Sequence, residues 1–338
     1  MSAASLKNMI RCLTLRALFF AALALAAAAL SAAPLHAGDS AEVCINAIYF
    51  MPVGSMSNPF TQMAEVGLQI SDSLYPQIRA SRIYLYFDGR INDYIKSILS
   101  VGDHSHVIGI GSYYAAIFDE LADAYPDKKF IVIDARAENK KVKSIDFDNF
   151  EAGYMAGAAC AQITASAKIG FIGGSKDKVI LDFEKGFRTA AAKNQTGPKA
   201  LEINSEYISE GVEGYSDPAA GGRIASAMYD KGCDVLFAAA GASGLGAIEA
   251  ARKRKKYIVG VDSDQDSIAP GNVVTSVIKR LDNAIINLNK DIAENKLTAE
   301  RVTYGFGNAG LTFSAFKHTK NKIGKKKYDK IINSMFSR

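Results

Sequence analysis

The stretch that most constrains the fold is Cys233–Asp264, CDVLFAAAGASGLGAIEAARKRKKYIVGVDSD. It reads as a strand over Asp234–Ala240, a glycine turn at Gly241–Gly244, a helix over Leu245–Arg254 and a second strand, Tyr257–Val261, ending in Asp262. The runs VLFAAA and YIVGV do not alternate with polar residues, so both faces of each strand must be covered, as in a parallel sheet between helices. In such sheets ligands bind beyond the carboxyl ends of the strands, where helix N-termini also point. Gly241 and Asp262 therefore fall where a ligand would sit. The glycine allows close backbone approach, and the carboxylate accepts from hydroxyl donors.

The same βα alternation runs through most of the chain. Strands are expected at Val43–Phe50, Ile83–Phe87, His106–Ile110 and Phe130–Asp134, with helices at Phe60–Asp72, Ile91–Ser100 and Tyr113–Ala124 between them. An extended run, Lys141–Phe147, leads out of this lobe, and the pattern restarts with helix Asn149–Thr164. Strands Lys168–Ile172 and Ala200–Tyr207 and helices Val179–Lys193 and Pro218–Lys231 then lead into the opening stretch. Beyond it come strand Val273–Ile278, helix Leu281–Asn295, a short extended piece at Val302–Phe306 and a Lys-rich helix, Phe316–Phe336. The expected fold is α/β, with two doubly wound parallel-sheet lobes joined by a hinge. Lobe 1 takes residues 38–145 with 280–300, and lobe 2 takes 146–279 with 301–338. Hinge crossings are expected at about Lys143–Asp146, Val277–Arg280 and Val302–Gly305.

Residues 1–37 read as a signal peptide: Lys7, Arg11 and Arg16 precede a long apolar run that closes on Leu35-His36-Ala37. Its removal lowers the net charge from +5 to +2 and points to a periplasmic mature chain without nucleic acid as a partner. Cys44, Cys160 and Cys233 show no metal or framework spacing and are expected as buried free thiols. Cys44 follows the acidic Ala-Glu-Val beyond the apolar core, which argues against a lipid anchor there.

Candidate site residues gather at the proposed cleft. Asn58 and Phe60, in Ser57-Asn58-Pro59-Phe60, offer an amide and an aromatic face; the simpler roles are helix cap and core. Asp134 ends IVIDA, placed for hydroxyls or for capping a turn. Phe183, in LDFEKGF, is by default a core aromatic. Asp262 and Lys279 can hold a polar neutral ligand between them, or brace the hinge as a salt bridge. No catalytic constellation emerges and no cofactor is implied: G-x-G-x-x-G and P-loop spacings are absent, and Gly109-Ile-Gly111-Ser112 lacks the order of a nucleophile elbow. His104 and His106 flank a strand start, away from the cleft.

DVLFAAAGASGLGAIEAA, YIVGVDSDQ and VVTSVIKR resemble the basic membrane protein family of periplasmic substrate-binding proteins, which are purine-nucleoside-binding components of ABC importers. YPDKKFIVIDA, DFDNFEAGYMAGAACA, KIGFIGG and FEKGF match in order and spacing, so the resemblance covers about residues 106–295. It implies a type I binding-protein fold with three hinge crossovers, no catalysis, and a permease in the inner membrane as partner. It further implies that Asp262 holds ribose hydroxyls, that Lys279 reaches the nucleoside, that Phe183 and Gly241 line the pocket, and that Asp134 serves as a second hydroxyl acceptor. The first lobe departs from the family: Met56-Ser57-Asn58-Pro59-Phe60-Thr61 resembles the corresponding loop of sugar-binding proteins such as those for ribose. The expected ligand is a nucleoside, purine first, with a pentose or similar sugar as the alternative. A ligand sensor presenting its closed form to a membrane receptor is the alternative role.

Overall fold

The computed structural model describes residues 44–52, 57–85, 89–196 and 198–336. The expected signal peptide lies outside the described residues. Strands β1 (Ile45–Met51), β2 (Ile78–Tyr84), β3 (His106–Ile110), β4 (Lys129–Ile133) and β5 (Val142–Phe147) alternate with helices α1 (Pro59–Leu74), α2 (Ile91–Val101) and α3 (Tyr114–Ala124). The second half holds α4 (Asn149–Ile163), β6 (Lys168–Gly173), α5 (Lys178–Lys193), β7 (Glu202–Tyr207), α6 (Pro218–Asp230), β8 (Val235–Ala239), α7 (Ser243–Arg254), β9 (Tyr257–Asp262) and β10 (Val273–Lys279). Helix α8 (Leu281–Ala293), β11 (Val302–Tyr304), β12 (Leu311–Phe313), α9 (Lys320–Ile323) and α10 (Lys325–Phe336) complete the described chain.

Two six-stranded sheets result, ordered β11-β5-β4-β3-β1-β2 and β12-β10-β9-β8-β6-β7. Every pairing is parallel except β10 with β12. The two orders are the same, so each strand of one sheet has a counterpart in the other: β3 with β8, β4 with β9, β5 with β10.

Burial of both strand faces explains the unbroken apolar runs. In β1, Ala47, Tyr49 and Met51 join one buried cluster, while Ile48 and Phe50 join another with Val107, Phe118 and Phe130. The first of these clusters runs on through α4 and α5 to Phe171 and Phe237 of the second sheet. A third lies on the opposite face of that sheet, around Leu236, Ile258 and Met228. All of this lies within Cys44–Arg338, which forms one compact unit by its own contacts.

Three crossings join the sheets. The chain leaves the first sheet after Phe147, returns after Lys279 into α8, which packs on α1, and leaves again after Tyr304. In the first sheet the pairing of β5 with β11 runs to Phe147 and Tyr304. The crossings lie side by side: the Asp148 amide donates to the Tyr304 carbonyl at 2.8 Å, and the Arg280 amide to the Gly310 carbonyl at 2.8 Å.

Three expectations need correction. Strand β2 begins at Ile78, not Ile83, and is an edge strand whose exposed Arg79 and partly exposed Ala80 break the apolar signal. The C-terminal helix is interrupted at Gly324, whose φ of +80° ends α9 and lets α10 start in a new direction. Cys160 and Cys233 are buried free thiols, but Cys44 is exposed.

Helix α5, which carries Phe183 towards the cleft, packs on α4 through glycines. A methyl group on Gly157 would lie 2.1 Å from the Phe187 carbonyl oxygen, and one on Gly186 would lie 2.0 Å from that of Phe150. Overpacking of this kind costs about 1–3 kcal/mol. Gly157→Ala is therefore expected to lower the urea midpoint by a corresponding amount; an unchanged midpoint would show that α4 and α5 pack less closely than this.

Candidate functional site

The carboxyl ends of both sheets face one cavity with an empty volume of about 580 Å³, its open mouth included. That is within the usual range for small-molecule sites, about 300–1,000 Å³. Its walls include all seven sequence-derived candidates: Asn58, Phe60, Asp134, Phe183, Gly241, Asp262 and Lys279. Among the described residues, Pro52, Ser112, Tyr113, Ile180 and Tyr215 also line it.

The two acids occupy counterpart positions. Asp134 follows β4 and Asp262 ends β9, and both hold left-handed backbone, with φ of +66° and +68°. Asp is one of the few side chains that visits this region readily. The bend turns each carboxyl out of its sheet and into the cavity. Gly241, after β8, has φ +54° and lies against Asn58 of the other lobe; a methyl group there would meet the Asn58 amide nitrogen at 3.2 Å. Asn58 caps α1, its Oδ1 accepting from the Phe60 amide at 3.0 Å, and this puts Phe60 in the first helical turn at the cavity wall. The capping role and the cavity position coexist.

Lys279 ends β10 and is 2 % exposed. Its Nζ donates to Asp134 Oδ1 at 2.6 Å. Its ion-pair partner is thus Asp134, from the other sheet, rather than the Asp262 with which the sequence coupled it. Three aromatic rings surround the ammonium, with centroids at 5.6 Å (Phe60), 5.3 Å (Phe147) and 5.1 Å (Phe183). Such contacts are favourable to a desolvated cation.

Burial dominates the acids. It raises Asp134 to about 7 in spite of Lys279, with Asp146 and Asp262 adding repulsion. It raises Asp262 to about 6, again against the pull of Lys279. The cavity therefore holds two carboxyls whose charged forms lack solvation, and one ammonium already engaged. A neutral polyol that donates hydroxyls to the acids would supply what burial removed.

A second polar group bridges the lobes. Asp177 caps α5, accepting from the Ile180 amide at 3.1 Å, and also accepts from Tyr215 Oη at 2.7 Å and from Ser112 Oγ at 3.1 Å. Ser112 belongs to the first lobe, at the turn after β3. Burial and Asp177 push the Tyr215 hydroxyl well above its ordinary value, so it stays protonated as a donor. Sequence reasoning missed Tyr215, Asp177 and the ring of Phe147. Asp177 alone left a signal, as an N-cap acid three residues before an apolar helix position. The Gly111-Ser112 pair is a turn at the cavity wall, and His106 starts β3 at the far end.

Two hinged parallel-sheet lobes closing on a ligand-sized cavity define a two-lobe solute-binding protein. A crystal structure of an ABC transporter solute-binding protein from Aeropyrum pernix K1 superposes with a TM-score of 0.74 at 19% identity, covering 86% of this chain and 85% of that one. The chain belongs to the Bmp family, PnrA-like ABC transporter substrate-binding proteins, whose family model matches residues 52–337. It is 29% identical over 301 residues to the ABC transporter nucleoside-binding protein BmpA of Lactococcus lactis subsp. cremoris, covering 82% of this chain and 84% of that protein. It is 33% identical over 211 residues to Basic membrane protein D of Borreliella burgdorferi, a match spanning 60% of each chain. The family consists of extracytoplasmic binding proteins rather than enzymes. No helix among the described residues is long and apolar enough to cross a membrane.

A raised carboxyl contributes stability that is present below its unfolded value, near 3.8, and is lost as pH rises through the folded value. For Asp262 that window runs from about pH 4 to above 6. Asn keeps the shape and tolerates the same backbone. In the ligand-free protein at pH 8, Asp262→Asn is expected to be more stable than wild type by about 1–3 kcal/mol, taking roughly 1.4 kcal/mol per pKa unit. The advantage should vanish towards pH 4; parallel denaturation curves at the two pH values would contradict it.

Proposed function

We propose that this chain is the solute-binding subunit of an ABC importer, that it acts in the periplasm, and that it captures a nucleoside, in the first place a purine nucleoside. The observation that carries the reading is the convergence of Asp134 and Asp262 from opposite lobes beside Lys279 and the rings of Phe60 and Phe183. Vicinal ribose hydroxyls donate to the carboxylates, Lys279 donates to ring or hydroxyl oxygens, and the flat base lies against aromatic walls. The lobes, 44–147 with 280–304 and 148–279 with 306–336, turn on the three crossings. Bound ligand favours the closed form because it contacts both at once. An inner-membrane permease then recognises that form. The cleft needs no metal or cofactor for this task.

A pentose is the second reading, supported by Asn58-Pro59-Phe60 at the cavity wall. Calorimetric titration of residues 38–338, stripped of copurified ligand, with guanosine, adenosine, inosine, cytidine and ribose separates the two. Purine-nucleoside binding with ribose silent supports the first reading; ribose binding alone supports the second; silence of the whole panel contradicts both.

Asp262→Asn is expected to weaken nucleoside binding about 100-fold, as for loss of two hydrogen bonds to a charged acceptor. Its raised stability distinguishes that loss from unfolding. Ser112→Ala removes only the cross-lobe bond to Asp177. It should speed ligand release about three- to tenfold with little change in capture rate, because closure contacts act after encounter. Stopped-flow traces with unchanged release would show that this bond plays no part in closure.

A further inference from the structure

The positive charge of this protein is concentrated far from its cleft. Residues 317–330 contain seven lysines, one aspartate and no arginine, a net +6, against −4 for the rest of residues 38–338. The structure folds this stretch onto one end of the second lobe. Lys327 Nζ donates to the carbonyl of Ile163 at the end of α4 at 3.1 Å, and Lys322 Nζ donates to the carbonyl of Gly271, before β10, at 2.8 Å. Both carbonyls lie at the end of the lobe opposite the cavity.

Six of the seven lysines are exposed, all but Lys327. Lys325, Lys326, Lys327 and Lys330 line one open concavity with Gln162 and Thr196, and Lys320 and Lys325 line a second beside Asn321 and Asp329. Helix α10 opens on Lys325-Lys326-Lys327 with no acid in its first turn. That is the reverse of what the helix dipole favours. Only Asp329, paired with Lys325 at 2.5 Å, offsets the charge within the stretch. The apolar side of α10, Ile331 and Met335, is spent on packing against the lobe. The charge therefore faces outward on a fixed scaffold.

We propose that this lysine face binds the surface of an anionic phospholipid bilayer. The composition favours a fluid array of phosphates over a shaped one. Lysines are mobile point charges, whereas stereospecific phosphate and nucleic-acid recognition favours the planar fork of arginine, absent here. Clusters of four to eight basic residues gain binding free energy for anionic membranes roughly in proportion to their number, and salt screens the effect. Because the face lies opposite the cavity, the protein can rest on the membrane while its cleft opens and closes.

Co-sedimentation of residues 38–338 with large vesicles tests this. Vesicles of phosphatidylcholine with roughly 30% phosphatidylglycerol should bind the protein at 50 mM salt and release it at 500 mM, while pure phosphatidylcholine should not bind it; Debye screening tightens about threefold over that range. The triple variant Lys317→Gln, Lys326→Gln, Lys330→Gln should partition at least tenfold more weakly with an unchanged thermal midpoint. Salt release of the wild-type protein is read independently of how the variant folds. Equal binding to both vesicle types, or undiminished binding by a folded variant, would overturn the proposal. So would saturable one-to-one binding of inorganic phosphate that displaces the protein from vesicles, which would make the concavity a site for a free anion.

Discussion

The ion pair between Lys279 and Asp134 is the interaction on which the cleft depends. A buried ammonium is tolerable only with a partner, and the partner here comes from the other sheet, at 2.6 Å. The same ammonium draws the rings of Phe60, Phe147 and Phe183 around it, one from α1, one from the end of β5 and one from α5. One charge at a crossing point thus ties together a hinge strand, both lobes and the aromatic walls. Asp262 sits in the field of this pair without a direct bond to it. It is the acid left for a ligand to satisfy.

The equivalence of the two sheets places a second set of constraints. Strand-end bends at Asp134 and Asp262, and glycines after β3 and β8 at Gly111 and Gly241, are paired features of one repeated lobe plan. The helix caps follow the same plan: Asn58 opens α1 and Asp177 opens α5. Their neighbours then differ. Asn58 presents Phe60 to the cavity, whereas Asp177 is turned to Ser112 and Tyr215 and holds the lobes together at the wall. A pseudo-symmetric frame thus carries two unlike faces.

Much of this was legible in the chain itself. Unbroken runs such as VLFAAA and IVIDA announce strands covered on both faces, and an acid or glycine at the end of such a run marks the ligand side of the sheet. That logic placed Asp134, Gly241 and Asp262 on the side of the sheets where the cavity lies. It failed where tertiary packing decides. The edge strand β2 has no apolar face pair to reveal it, and β12, three residues antiparallel to β10, is too short to carry a pattern. The choice of Asp134 over Asp262 as the partner of Lys279 depends on how the lobes meet, which spacing along the chain does not encode. Tyr215 reaches the cavity from a single 3-10 turn that no periodicity distinguishes.

Burial holds Asp262 partly protonated in the ligand-free cleft, and the hydroxyls of a bound ligand are expected to stabilise its charge. Calorimetric titration of guanosine at pH 6.5 in buffers of different ionisation enthalpy measures the protons exchanged on binding. With Asp262 near 6 in the free protein, binding is expected to release protons, and to tighten as pH rises from 5 to 8. Guanosine bound with no exchange, or with proton uptake, would contradict the account.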